Sequence, residues 1–254
     1  MATEQAVPKG VELVNEIVDL AKAKSPSSFE IARLRKQAQS LISLDAYHAS
    51  MALGMLAGMS RNELEMRQYH QQAIRLRSNS VLALMNFAGS LERMNFYSEV
   101  REIIAKAHLF DPSDIRILDN AIQSAAVTGQ FNQCNALIAE WKKLRPTETH
   151  KNEKMYKRIL DYLSENNISE SEIDRLIEIA SANLRQAGVF STRIDLGLLC
   201  DEGPEWLNYD LILSAPVEQV VELNTKLAEG LAGIEPPIPA EQFVNVMYLT
   251  NDDQ

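Results

Sequence analysis

A chain of 254 residues that is 46% hydrophobic and 24% charged can bury a large core, and its length suits two domains better than extended disorder. The formal charge of −10 is lopsided: residues 1–150 hold 17 Lys+Arg against 16 Asp+Glu, and residues 151–254 hold 8 against 19. Such an acidic second half disfavours nucleic acid, whose binding draws on phosphate neutralisation, and is compatible with a basic protein partner or with solubility alone.

No run approaches the roughly 18 apolar residues of a membrane span. The opening MATEQAVPKG lacks a basic start followed by an apolar core, so no secretory signal is visible and a cytoplasmic location is expected. Cys134 and Cys200 belong to no CxxC pair and are expected reduced.

Along the chain, Val11, Val14, Ile17, Val18 and Ala21 recur at helical spacing over residues 10–24. Pro26 and the serines after it close that helix and open a second over about 28–43, carried by Phe29, Ile31, Leu34, Ala38 and Leu41. This pair reads as a hairpin that caps a longer helical array. Asp111-Pro112 and Arg145-Pro146 then lie 34 residues apart, each closing two amphipathic segments. A period of that length is the mark of stacked helical hairpins. Phased on Pro112, the units run over 47–80, 81–114 and 115–148.

Small residues are needed where helices approach closely and bulky apolar ones fill the gaps between turns. Gly54 and Ala88 share one phase, and Ala73 and Ala107 another; the next members of the two series, Ile122 and Trp141, are large. In the middle unit Leu84, Phe87, Ala88, Leu91, Val100, Ile104, Ala107 and Pro112 take the packing positions, and Gly129 marks an inter-helix turn in the third. Over roughly 100 residues, 47–146, this pattern resembles the tetratricopeptide family in degenerate form. The resemblance implies a concave groove lined by the first helix of each hairpin, binding a protein or peptide. Carried over position by position, its lining would include His48, Met51 and Met55, then Met85, Asn86 and Arg93, then Arg116, Asp119, Asn120 and Gln123.

A further helix is expected over 151–164 and another over 171–187, the second capped by Ser169 or Ser171 and stopped by Gly188. The period then drops to two. Strands are expected over 191–199 and 206–214, a helix over 216–231, a stiff Pro-rich link over 234–240 and a last strand from Phe243 to Leu249. The predicted fold is therefore mainly α: a helical-hairpin array over residues 1–165 with flanking helices, then an acidic α+β domain, order α-β-β-α-β, over 166–254.

No phosphate-binding loop, zinc motif or nucleophile elbow is present, so no cofactor and no catalytic role are expected. The four histidines do not pair at metal-ligand spacing; His70 and His108 read as packing residues and His150 as a solvent-facing linker residue. The expected function is that of a non-enzymatic scaffold or adaptor with a polypeptide partner, binding neither nucleic acid nor membrane. One alternative is an immunity protein or antitoxin whose acidic domain, with Asp201, Glu202, Glu205 and Asp210, covers a basic partner. The other is a metal-dependent enzyme using the carboxylates between Asp195 and Asp210.

Overall fold

A computed structural model describes residues 9–22, 27–200 and 205–251. The chain forms two compact units, Met1–Met94 and Asn95–Gln254. The expected architecture is present, a helical array followed by a three-stranded sheet with its helices, although the compact units do not divide at residue 165.

The first unit holds α1 (Lys9–Ala21), α2 (Ser28–Leu41), α3 (Ala46–Met59), α4 (Glu63–Leu76) and α5 (Val81–Arg93). Short polar side chains start three of them: Asp45 accepts from the His48 N–H, Asn62 from Glu65 and Ser80 from Ala83. Ser27 and Glu30 form a reciprocal capping box on α2. The middle helix is α3, packed by α1, α2, α4 and α5, and every residue from Tyr47 to Gly58 is buried. Glycine permits the close approaches. A Cβ at Gly54 would stand 2.8 Å from the His70 ring, and one at Gly10 would stand 2.7 Å from the His48 Cβ.

The second unit continues with α6 (Tyr97–Phe110), α7 (Ile115–Val127), α8 (Phe131–Leu144), α9 (Glu153–Glu165) and α10 (Glu170–Ala187). A Ser169–Glu172 capping box starts α10, and Gly188 ends it in the left-handed conformation. Strands β1 (Ser191–Leu199) and β2 (Trp206–Leu213) pair antiparallel. Helix α11 (Val217–Ala232) and a short 3-10 turn, Pro239–Gln242, then carry the chain to β3 (Val244–Thr250), which pairs parallel with β2. A crossover helix is what a parallel return requires. Leu211, Leu213 and Tyr248 pack with Ala180 and Leu184 of α10 and Val220, Leu223 and Leu227 of α11, so the two helices cover one face of the sheet.

The 34-residue phase is written into the backbone. Arg61, Asn95 and Gly129, each in the turn between two helices of a predicted repeat, all have positive φ. A second series, Ile42, Leu76, Phe110 and Leu144, stands at the ends of α2, α4, α6 and α8 with each residue at least 40% exposed. Its first member extends the phase to α2, one hairpin before the predicted array.

The compact units cut the chain differently from the expected organisation. The middle repeat, 81–114, does not sit in one compact unit, because α5 belongs to the first and α6 to the second. The acidic α+β segment falls in the same compact unit as α6 to α10. Tyrosines tie them together: the Tyr209 hydroxyl donates to the Ala126 carbonyl at 3.0 Å, and the Tyr162 hydroxyl lies 2.9 Å from the carbonyl oxygens of Glu205 and Phe243. Asn95 also donates to the Val189 carbonyl at 2.9 Å. Tyr209 is fully buried, so sheet and helices share one core.

Candidate functional site

The predicted groove residues separate into two sets. In the first unit the inner face of α3 is filled by the chain's own α1. Met51 and Met55, 0% and 8% exposed, pack in one core with Leu13, Val14 and Ile17. They are core methionines rather than an adaptable surface, because α1 supplies the apolar partner that a ligand would have brought. His48 is buried too, its Nδ1 2.6 Å from an Asp45 carboxylate oxygen. Asn86 donates to the Met51 sulfur at 3.1 Å, and Arg93 donates to the Ala21 carbonyl at 2.7 Å, closing the exposed end of α1. A cleft of about 300 Å³ remains open where Met55, Met85, Asn86 and Arg93 meet Val18 of α1.

In the second unit the outcome differs. Asp119 and Gln123, one turn apart on α7, line an open groove of about 700 Å³. Its other walls are Trp141 of α8, residues 148–152 of the α8–α9 connection, Met155 and Tyr156 of α9, and Ile194–Leu196 of β1. Arg116 and Asn120 do not join it. Arg116 pairs with Asp114 at 2.7 Å and its side chain is 85% exposed, while Asn120 donates to the Arg116 carbonyl.

His150 departs furthest from expectation. Expected in solvent, it is 5% exposed, edge-on to the Trp141 ring with centroids 5.3 Å apart, and its Nε2 lies 3.7 Å from Asp119. Burial lowers its pKa, with the Asp119 carboxylate acting against that. Its Nδ1 accepts from the Asn152 N–H at 3.3 Å, and the Asn152 amide donates to the Tyr156 hydroxyl at 2.9 Å. The Trp141 indole N–H is buried with no partner among the described residues. One signal was available in the sequence: Trp141 follows Ala73 and Ala107 in a small-residue series, and so large a ring at that position must remodel the surface around it. Nothing local marks His150 for burial.

Among the described residues the acidic candidates do not gather. Asp201 and Glu202 lie outside the described residues. Glu205 is bonded to Arg158. Asp195 and Asp210 do face each other across β1 and β2, beside a hollow of about 280 Å³ shared with Arg193, which pairs with Asp195 at 2.9 Å. Burial raises the Asp210 carboxyl above its usual range; a hydrogen bond from Asn208 opposes this and Asp195 adds to it. Among the described residues no three His, Cys, Asp or Glu side chains are grouped to hold a metal ion. Cys134 is buried, its thiol pushed up to about 12 by that burial, and Cys200 is exposed. No described helix is long and apolar enough to cross a membrane.

Comparison with protein-family models and with curated proteins finds no match to this chain. The likeness to tetratricopeptide repeats therefore rests on the 34-residue phase of turns and helix ends.

Proposed function

We propose that this chain is a non-enzymatic polypeptide-binding adaptor that receives its partner in the groove of the second unit. The carrying observation is convergence: Asp119 and Gln123, picked out by repeat position alone, share one open groove with an apolar floor, Ile122, Trp141 and Met155. Around that floor stand amide and hydroxyl groups of Gln123, Asn152 and Tyr156, able to fix a backbone. A hollow of several hundred Å³ that sets polar side chains around a few apolar ones has the size of a ligand site. None of these groups forms a nucleophile–base pair, so binding suits them better than catalysis.

The test is selection of a displayed random peptide library on the full chain, followed by binding measurements on Gln123→Trp, which fills the groove from an exposed position. Enriched peptides should lose at least tenfold in affinity to that variant while its melting temperature stays unchanged. Equal binding to both proteins would refute the groove.

A second reading draws on another surface. Trp206 and Leu199, 39% and 56% exposed, are neighbours in register at one end of β1 and β2, within a segment that is strongly acidic. A neutralising protein that covers a basic partner would use them. Trp206→Ser would then abolish partner binding where Gln123→Trp would not.

A further inference from the structure

The sheet has two edges, and they are treated differently. A residue's N–H and C=O point to the same side of a strand, and unpaired ones on an edge form a template for another chain. On β3 that template is closed at Tyr248: its N–H donates to the Asn224 side-chain oxygen and its carbonyl accepts from the Asn224 amide, both at 2.9 Å. On β1, Asn95 takes the Ser191 N–H at 3.2 Å. From Arg193 to Leu198, however, the backbone bonds only to β2 among the described residues. Within that open stretch, Ile194–Leu196 forms one wall of the groove.

The groove also carries a carboxylate that no described lysine or arginine meets at salt-bridge distance. Of its carboxylates, Glu148 pairs with Arg145 at 2.8 Å and Asp195 with Arg193 at 2.9 Å. Asp119, half exposed, has as its ion-pair neighbour His150 at 3.7 Å, and burial of that imidazole favours its neutral form. Arg145 feels the Asp119 charge at longer range but is paired with Glu148, so a bound lysine or arginine could meet Asp119 directly.

We propose that the partner binds as an added β-strand: an extended segment pairs with the free edge of β1 along the groove and sets a lysine or arginine against Asp119. This inference rests on the groove being the binding surface. Strand addition explains why a polypeptide is the ligand class, since the main chain supplies affinity and alternate side chains supply selectivity. The space is that of a short segment, about 700 Å³, rather than of the sheet of a second copy.

The probe is a positional-scanning library of ten-residue synthetic peptides, bound to the full chain, with the best sequences remade carrying one backbone N-methyl group at each position in turn. Methylation should cost at least tenfold at every second residue and little at those between. One position should prefer Lys or Arg over Glu by at least tenfold, a preference that Asp119→Asn reduces to under threefold. Peptides that Gln123→Trp excludes but whose N-methyl scan shows no two-residue period would leave the groove as the site and overturn strand addition. A library with no enriched sequence, or one displaced by self-association of the chain, would overturn both.

Discussion

Gly129→Ala tests how the second unit is held together. Gly129 has φ +73°, and Ile173 of α10 sits on the α7–α8 turn so closely that an added Cβ would lie 2.4 Å from its Cγ2 and 2.6 Å from its Cβ. Two costs add. Alanine in the left-handed region loses about 1–2 kcal/mol. Forcing a methyl against a fully buried, χ1-restricted isoleucine costs about 1–3 kcal/mol more, because neither helix can move without breaking other packing. Asn132 and Gln130 near the start of α8 also bond to Glu170, at 2.6 and 3.4 Å, so the start of α8 is tied to the first turn of α10 beside the contact.

The expected loss is about 2–5 kcal/mol, or a fall of melting temperature on the order of 10 °C for a unit of this size. Thermal melting of the full chain followed by circular dichroism reads it. Two companions separate the costs. Gly129→Asn tolerates the backbone angle but keeps the clash, so it should fall between wild type and Ala. Ile173→Ala removes Cγ2 and leaves Cβ, so its combination with Gly129→Ala should be about 1–3 kcal/mol less destabilising than the sum of the singles. A Gly129→Ala protein that melts within about 1 °C of the parent would refute both the angle and the contact.

Burial holds His70 neutral, with its pKa pushed down to about 3, against 6.5 for the open ring. Below pH 6.5 the unfolded chain binds the extra proton, so stability should fall between about pH 6.5 and 3, by up to a few kcal/mol, and His70→Phe should flatten that slope in urea titrations. Asn224→Ala strips both side-chain bonds from the Tyr248 backbone and should cost about 1–3 kcal/mol in the same assay; Asn224→Asp, which cannot donate, should cost less than Ala but more than zero. Alkylation with iodoacetamide followed by mass spectrometry should label exposed Cys200 within minutes and Cys134 only under denaturant, because the buried thiol, at about 12, holds almost no thiolate at neutral pH.

Much of the fold was legible because its signals are local. Asp45, Ser80 and Asp114 cap helices where a short polar residue precedes an apolar period, and Ser169 with Glu172 announces α10. The change from a period of 3.6 to one of two after Gly188 placed β1 and β2 within a residue of their observed ends. The unit boundary was not legible, since the sheet is bound to the helices by single long-range groups such as Tyr209, Tyr162 and Asn95. Their sequences look like those of any buried tyrosine or turn asparagine. Asn95 shows the problem well: its left-handed turn lies one 34-residue period before Gly129, but its side chain also accepts from Ser191 and donates to Val189, bonds that no spacing rule contains.

The site divides along the same line. Periodicity states which face of α7 turns inward, and the near-continuous apolar run of α3 states that it is covered all round; neither says what stands opposite. Across from α3 the chain placed α1, so the methionines became core. Across from α7 it placed the edge of β1, which differs from a helix in one physical respect. A helix satisfies its backbone internally, and packing against it consumes the groove. A strand edge leaves every second backbone group facing outward, so closing the groove from that side leaves a polar template inside it. Filling an inner face with the chain's own segments therefore closes the face of α3 in the first unit and leaves an open groove beside α7 in the second.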